Sequence, residues 1–347
     1  MDNRKGLSLR GVVYDVGTHT RGAAASTREA FDPEVVRQEI RIISRDLQAN
    51  AIRLTGRDIG RLTLAAEAAL AEGLEVWVSP ERIDAGEEET LAHYAECAKA
   101  MEKLRKKTPK IVFVAGWELS FFMKGLVTGD TAFDRIRTVM NPFRLLMSTI
   151  RLGSFHKRLN AFLRKAAAVV REHFHGPLTY ASGTWENVDW SLFDYVGMDY
   201  YRDKANAAAY RSKLRDYAKH GKPVVVLEFG SCTYTGAKDK GSYGWIIVDR
   251  NVTPPRLKGD YERDEEEQAQ QLRELLDLYG EEEVYGAFWF TFVMPTYPYD
   301  ENPAHDLDRA SYALVRSLKG QTGTAYPGMP WEPKKAFYAL AERYRKS

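Results

Sequence analysis

The sequence predicts an α/β fold, and within that class a (β/α)8 TIM barrel made of a single domain, residues 1–347. Short apolar or β-branched runs alternate with longer amphipathic segments along the chain, which is typical of folds built on a parallel sheet. Eight such runs are present, and eight strands close this kind of barrel. Neither an internal repeat nor a low-complexity linker divides the chain.

The predicted strands are separated by helical segments that end on glycine or on basic residues. A doubly wound open sheet is the alternative, but no glycine-rich dinucleotide-binding loop follows the first strand. The predicted strands are Gly11–Val16, Ala51–Leu54, Glu75–Ser79, Ile111–Ala115, Leu178–Ala181, Tyr195–Asp199, Val224–Glu228 and Tyr285–Phe290.

The first helix has the clearest start signal. Asp32 is a favourable N-cap and Pro33 suits the first helical position, and apolar residues follow at helical spacing as far as Leu47. A later segment, Glu87–Lys107, begins with acidic residues and ends with basic ones, as the helix dipole favours. Both segments lie between predicted strands, as the barrel requires.

Three strand-to-helix connections are long, those after the fourth, seventh and eighth predicted strands. In a TIM barrel these connections lie on the carboxyl-terminal face, where functional residues concentrate. The fourth is an insertion of about residues 119–154 that is both apolar and basic. Burial against the barrel is the favoured interpretation; a lid, a homodimer surface and docking on an acidic partner are the alternatives.

Composition limits the possible functions. Hydrophobic residues make up 44% of the chain, which is enough for a large core, and the net charge of +2 argues against a nucleic-acid partner. Cys97 and Cys232 are too few for a disulfide framework, and the histidines form no metal-binding pattern, so we expect no metal and no cofactor. With no signal-peptide core and no run of roughly 18 apolar residues, we expect a cytoplasmic protein without a membrane partner.

Two of the predicted strands end on a glutamate. Glu118 follows the fourth and Glu228 ends the seventh, so both carboxylates reach the same rim of a barrel. In retaining glycoside hydrolysis, one carboxylate attacks the anomeric carbon and the other protonates the leaving oxygen and then activates water, at roughly 5–5.5 Å from the first. A single glutamate at the end of a strand usually only faces solvent. The presence of two such glutamates is what favours a catalytic role.

The chain resembles the clan A glycoside hydrolases, in particular the smaller β-mannanase-like and galactanase-like families, over most of the barrel. Gly116–Leu119 is similar to the end of their fourth strand, which carries the acid/base, and Lys222–Gly230 to the end of their seventh, which carries the nucleophile. The resemblance implies a retaining glycosidase acting on a small or oligosaccharide glycoside. Glu118 would be its acid/base and Glu228 its nucleophile.

The same resemblance implies three residues around the sugar. Arg53 matches an arginine directed toward the nucleophile, where it would keep Glu228 ionised. Tyr201 matches an aromatic residue after the sixth strand and would hydrogen-bond the same carboxylate. Trp289 matches a tryptophan that forms the floor of the sugar site. The structural alternatives are an ion pair for Arg53, a helix cap for Tyr201 and core packing for Trp289.

One position departs from the family pattern. The residue before the acid/base is Trp117, where these enzymes usually have an asparagine that binds the sugar 2-hydroxyl. Tryptophan is larger and cannot accept a hydrogen bond. We therefore expect Trp117 to contact a different group of the substrate or to alter the reaction.

Four further residues are candidates for substrate binding. Asp15 and Glu81 follow the first and third predicted strands, His19 lies near Asp15, and Trp185 follows the fifth strand. A turn or helix-cap role is an equal alternative for Asp15. Trp185 would offer an apolar face to a sugar ring.

Two other kinds of function stay open. A transglycosylase, or a cyclising or isomerising enzyme, would use Glu118 and Glu228 as acid and base, and Trp117 motivates this alternative. A non-catalytic barrel that binds carbohydrate or a partner is the third hypothesis, which the presence of both glutamates disfavours. The sequence also resembles bacterial proteins loosely labelled abortive infection proteins, a label that implies phage defence but supplies no mechanism.

Overall fold

The computed structural model describes residues 6–18 and 26–346. Over these residues eight parallel strands close into a barrel, in which each strand neighbours the next in the chain and the last returns to the first. The predicted TIM barrel is confirmed, and every predicted strand overlaps an observed one. The strands are β1 (Leu9–Asp15), β2 (Ala51–Gly56), β3 (Glu75–Pro80), β4 (Ile111–Trp117), β5 (Leu178–Gly183), β6 (Val196–Asp199), β7 (Val224–Phe229) and β8 (Gly286–Trp289).

Ten α-helices accompany the barrel in the described part of the chain. They are α1 (Pro33–Arg45), α2 (Ile59–Ala71), α3 (Glu87–Arg105), α4 (Leu119–Phe122), α5 (Ala132–Met140), α6 (Pro142–Leu152), α7 (Phe155–His173), α8 (Tyr210–Ala218), α9 (Glu265–Glu281) and α10 (Lys335–Arg345). The link between β5 and β6 is different, because it holds only a 3-10 turn, Trp190–Leu192. Among the described helices, none is both long and apolar enough to cross a bilayer.

Alternation along the strands separates two apolar cores. On β1, Val12 packs with the helices and Val13 with the barrel interior. Trp77 and Phe288 fill the interior, with their ring centroids 5.4 Å apart. The next inward positions form the mouth of the barrel, and there the side chains become polar: Asp15, Arg53, Ser79, Glu81 and Asp199.

Two strands depart from strict alternation by one residue. Between Val114 and Trp117, β4 advances three residues while β5 advances two. Between Val226 and Phe229, β7 likewise advances three residues while β8 advances two. A β-bulge of this kind redirects the side chains around it. The bulges bring Trp117 and Glu228 to the interior side, although simple alternation would turn both outward.

The insertion after β4 is anchored by Arg135 of α5, which is fully buried. Its guanidinium donates hydrogen bonds to the backbone oxygens of Phe121 at 2.7 Å and of Gly129 at 3.1 Å. It also pairs with Asp84 of the loop after β3. Because a buried guanidinium must keep its partners, these contacts fix the start of the insertion on the rim of the barrel.

The second helix of the insertion, α6, is not buried against the barrel. Ser148 faces the protein, whereas the large apolar side chains of Phe143 and Ile150 are exposed. The expectation that the insertion is buried is therefore correct for Arg135 and wrong for α6. The apolar side of a helix normally packs against the protein, so the sequence favoured burial, whereas in the structure the apolar side of α6 faces outward.

A buried carboxylate on α1 ties distant segments together. Glu39 is inaccessible to solvent and accepts hydrogen bonds from the Tyr14 hydroxyl at 2.5 Å, the Arg28 guanidinium at 2.5 Å and the Trp331 indole at 2.8 Å. Arg28 is itself only 4% exposed. The pair therefore cannot exchange its partners for water.

We expect Glu39→Ala to lower the free energy of unfolding by about 3–5 kcal/mol, because it leaves the buried charge of Arg28 without a partner. The matched control on the same helix is Glu34→Ala, which removes an exposed pair with Arg37 and should cost at most about 1 kcal/mol. Urea unfolding followed by circular dichroism measures both. Similar losses for the two variants would contradict the structural role of Glu39.

Candidate active site

Glu228 lies at the carboxyl end of β7 and points into the mouth of the barrel, with its side chain 12% exposed. Its Oε1 accepts a hydrogen bond from Arg53 at 3.0 Å, and its Oε2 accepts one from the Tyr201 hydroxyl at 3.1 Å. Each carboxylate oxygen thus has its own donor. This arrangement fixes the orientation of the carboxylate and stabilises its charged form.

Arg53 projects from β2 and has no contact with solvent. Its Nη1 lies 3.0 Å from Glu228, 3.3 Å from Asp199 and 3.1 Å from the backbone oxygen of Leu227. Its Nη2 approaches the Ser79 hydroxyl at 3.4 Å. Arg53 of β2 therefore has partners on β3, β6 and β7, and the carboxylates of Asp199 and Glu228 share its guanidinium.

Glu118 follows β4 directly and has left-handed backbone angles, φ 36° and ψ 45°. This region is unfavourable for a side chain with a Cβ, so the neighbouring structure must hold it. Its backbone N–H donates to Ala181 of β5 at 2.8 Å, and its carbonyl accepts from Phe121 at 2.7 Å. The backbone of Glu118 is therefore fixed on both sides.

Buried side chains on β5 and just after it hold the residues that follow Glu118. The Tyr180 hydroxyl accepts from the backbone N–H of Leu119 at 2.8 Å and donates to Glu186 at 2.7 Å. The other oxygen of Glu186 accepts from the N–H and the hydroxyl of Ser120 at 3.0 and 2.6 Å. These hydrogen bonds make Glu186 a positioning residue for Glu118.

The two rim glutamates have different electrostatic surroundings. Burial raises the pKa of Glu118 well above its usual range, and the nearby charges of Asp199 and Glu228 raise it further. Burial also raises the pKa of Glu228, but the Arg53 charge and the hydrogen bond from Tyr201 oppose the shift. The arrangement therefore favours a protonated Glu118 beside an ionised Glu228, as a general acid and a nucleophile require.

Asp199 is the third carboxyl group of this cluster. It is buried at the end of β6, and only its Oδ1 reaches Arg53. Burial and the Glu228 charge raise the pKa of Asp199 well above its usual range. Because like charges this close do not all ionise together, Asp199 is expected to stay protonated while Glu228 carries the charge.

Aromatic side chains border Glu118 in two stacked pairs. Trp117 lies on Phe122, with ring centroids 4.6 Å apart and planes inclined by 23°. Trp185 lies on Phe121 at 4.2 Å and 24°, and its indole N–H donates to the Ser120 hydroxyl at 2.9 Å. Both pairs present apolar surface near the mouth, and Trp117 has a packing role that an asparagine could not supply.

Asp15 and Glu81 stand at the mouth on either side of β2. The Asp15 carboxylate accepts a hydrogen bond from the Gly17 backbone at 2.7 Å, which is the turn role considered as its alternative. Burial, followed by the Asp15 charge, raises the pKa of Glu81 well above its usual range. His19 lies outside the described residues.

The position of Trp289 corrects the sequence interpretation. Its side chain is fully buried on the helix side of the sheet, packs edge-on against Phe229 at 5.3 Å, and donates its indole N–H to the backbone of Tyr312. Trp289 therefore does not form a sugar floor. Since Phe288 points inward, alternation turns Trp289 outward and brings the half-buried Phe290 to the mouth.

Sequence reasoning gave no role to Asp199, Glu186 or Phe290. Alternation from Phe288 could have found Phe290, and alternation within β6 could have found Asp199. Glu186 had no such signal, because its partners come from β5 and from the turn after Glu118. Within residues 6–18 and 26–346, no group of three or more His, Cys, Asp or Glu side chains is arranged to hold a metal ion.

No protein-family model matches the sequence, and no curated protein matches it. Solved structures do resemble it. A GH113 β-1,4-mannanase superposes with a TM-score of 0.61 at 14% sequence identity, over 98% of this chain and 99% of the other. The GH113 β-mannanase of Alicyclobacillus acidocaldarius gives 0.57 at 16% identity, over 98% of each chain.

A broad-specificity GH5 endoglucanase from Clostridium longisporum gives a TM-score of 0.53 at 10% identity, over 98% of this chain and 97% of the other. All three enzymes belong to clan A of the glycoside hydrolases, so the chain has the fold of that clan along almost its whole length. At such low identity the likeness establishes the fold and does not extend to the reaction.

The electrostatics of the mouth predict how Glu118→Gln changes stability. A carboxyl group with a raised pKa in the folded protein contributes stability below its usual pKa, and that contribution is lost as the pH rises through the raised value. Because Gln cannot ionise, the variant should exceed the wild type in Tm by roughly 1–3 °C at pH 8, and by less at pH 5. Differential scanning calorimetry at both pH values measures this.

The matched control is Glu172→Gln, an exposed position on α7, which should leave the Tm unchanged at both pH values. An equal Tm gain for Glu118→Gln at pH 5 and pH 8 would contradict the raised pKa of Glu118.

Proposed function

We propose that this protein is a retaining glycoside hydrolase in which Glu228 is the nucleophile and Glu118 the acid/base. The observation that carries the proposal is that the two rim glutamates have different hydrogen-bond donors and charges around them. Glu228 has a guanidinium and a phenol hydroxyl as donors, whereas Glu118 is buried beside other carboxyl groups. The clan A fold of the chain supports it, because that fold presents a carboxylate pair on this face.

In the first step, the Glu228 carboxylate attacks the anomeric carbon while Glu118 transfers its proton to the departing glycosidic oxygen. The carbon–oxygen bond of the glycoside breaks, and an ester bond between Glu228 and the sugar forms. Arg53 and Tyr201 orient Glu228 for this attack, and their hydrogen bonds to it weaken as its negative charge disappears.

The second step uses Glu118 as a base. Once Glu228 is an ester, it no longer places a negative charge near Glu118, and that charge is one cause of the raised pKa of Glu118. The pKa of Glu118 therefore falls in the intermediate, so the ionised carboxylate can take a proton from water. The resulting hydroxide attacks the anomeric carbon and releases Glu228.

The substrate that fits is a small or oligosaccharide glycoside. Trp185 on Phe121 offers an apolar face beside Glu118, where the leaving group departs, and sugar rings present C–H surfaces to such faces. Asp15 and Glu81 stand at the mouth on the strands either side of β2 and would bind sugar hydroxyls.

Transglycosylation is a second candidate function. The stacked pair of Trp117 and Phe122 lies next to Glu118 in place of the usual polar residue. This apolar surface favours a sugar acceptor over water in the second step. Hydrolysis yields free sugar as the product, whereas transglycosylation yields longer oligosaccharides, and chromatography of the products distinguishes them.

Trapping the intermediate tests the nucleophile. Incubation with a panel of activated fluoro-sugars should add one sugar mass to the protein, and peptide mapping should place it on Glu228. On the glycoside so identified, Glu228→Gln should lower kcat by at least about 10²-fold, because no ester can form.

The control variant is Glu75→Gln, a carboxylate at the amino-terminal end of β3 that accepts from the Trp77 indole at 2.8 Å, and it should keep full activity. Turnover by Glu228→Gln equal to that of the wild type, or an adduct on another residue, would refute the assignment of Glu228.

The Tyr201 hydroxyl predicts a pH effect. Its hydrogen bond stabilises the charged form of Glu228 and so lowers the pKa of that carboxyl. Tyr201→Phe removes the donor, the pKa of Glu228 rises, and the ascending limb of kcat/KM against pH should move to higher pH by about one unit. Tyr234→Phe, a buried tyrosine that donates to the backbone of Gly244, is the control and should leave the limb in place.

A further inference from the structure

The exposed side of α6 is the largest apolar feature that the proposed reaction does not use. Four large side chains share this side, and all four are strongly exposed; we call them the α6 patch: Phe143 (71%), Leu146 (56%), Met147 (49%) and Ile150 (70%). At 100° per residue they fall within one stripe of about 100°. Ser148, the buried residue of α6, lies on the opposite side.

The helix before α6 contacts a loop that borders the candidate cleft. Met140, at the end of α5, is exposed and its sulfur is 3.1 Å from the Tyr243 hydroxyl. Tyr243 is close enough to Glu118 for that carboxylate to raise the pKa of the phenol, after the larger effect of burial. Phe133 of α5 also packs edge-on against Trp245 at 6.0 Å. α5 thus contacts the loop after β7 that borders the site, and α6 follows α5 directly in the chain.

α6 itself carries charges of one sign. It contains Arg144 and Arg151 and no acidic residue, and both arginines are exposed. On a helical projection they lie together at one edge of the apolar stripe. An apolar stripe with a cationic edge is the pattern of a helix that lies in the interface of an anionic bilayer.

We propose that α6 docks on an anionic phospholipid surface, with the α6 patch inserted among the acyl chains and the two arginines at the phosphate groups. A second copy of this chain fits less well, because an antiparallel pairing of two α6 helices about a two-fold axis would bring the same cationic edge against itself. Docking of this kind places α6 in the plane of the membrane surface, so it does not require a helix long enough to cross the bilayer. It does not depend on glycosidase activity.

Vesicle co-sedimentation tests the proposal. The protein should sediment with vesicles that mix phosphatidylglycerol into phosphatidylcholine, bind phosphatidylcholine alone more weakly, and lose binding as salt is added. The double variant Phe143→Ser with Ile150→Ser should bind the mixed vesicles at least about tenfold more weakly. Arg144→Gln with Arg151→Gln should weaken binding to the mixed vesicles by about tenfold and remove most of its salt dependence.

Two controls make the result specific. Tyr338→Ser, at an exposed aromatic position on α10, should bind the mixed vesicles as the wild type does. Glu228→Gln should also bind normally, so a failure of the catalytic proposal and a failure of docking are separate results. Thermal unfolding should be unchanged in both double variants, because the substituted side chains are exposed.

Three outcomes would overturn the proposal. One is the absence of binding to the mixed vesicles at low ionic strength. Another is binding that the Phe143→Ser, Ile150→Ser variant retains in full. The third is a stable dimer in sedimentation velocity that the same variant dissociates, since that would assign the α6 patch to a second copy of the chain.

Discussion

The contact of Arg53 with Glu228 and Asp199 is the constraint on which the rest of the site depends. A guanidinium without access to water is tolerated only where hydrogen-bond acceptors surround it, and β3, β6 and β7 provide them. The position of the guanidinium also favours ionisation of one of these two carboxyl groups, Glu228, over the other, Asp199. Glu228 has the shorter contact and a second donor in Tyr201, which favour its charged form, whereas burial and neighbouring charges raise the pKa values of Asp199 and Glu118 well above their usual range.

The buried carboxyl groups at the mouth of the barrel destabilise the folded state. Burial raises the pKa values of Asp15, Glu81, Glu118 and Asp199, so at neutral pH each group either keeps a proton or introduces a charge into a poorly solvated space. A purely structural barrel would fill these positions with apolar residues, as the layer around Trp77 and Phe288 does. Concentration of this unfavourable chemistry at one end of the barrel is itself an argument for a functional site.

Sequence patterns were sufficient for the barrel and for part of its site. Apolar runs separated by helical segments predicted the strands, the glutamates at two strand ends predicted that Glu118 and Glu228 share a rim, and the family resemblance added Arg53. Period-two alternation, applied strictly from Phe288, would have rejected Trp289. It could not have predicted the bulges in β4 and β7, because an extra residue in one strand is defined only against its partner. Nor could it show that α6 turns its apolar side outward, since the apolar side of a helix normally packs inward.

The strands that flank the two rim glutamates give them different electrostatic surroundings. A bulge turns Glu228 of β7 toward the mouth, whereas the bulge in β4 turns Trp117 inward and Glu118 follows it. The donors to Glu228 are Tyr201, which follows the adjacent strand β6, and Arg53 of β2. β4 lies beside β5, whose Tyr180 and Glu186 hold the backbone after Glu118 and give its carboxyl group no cation. Two residues of the same type, Glu118 and Glu228, therefore have different electrostatic surroundings because different strands flank them.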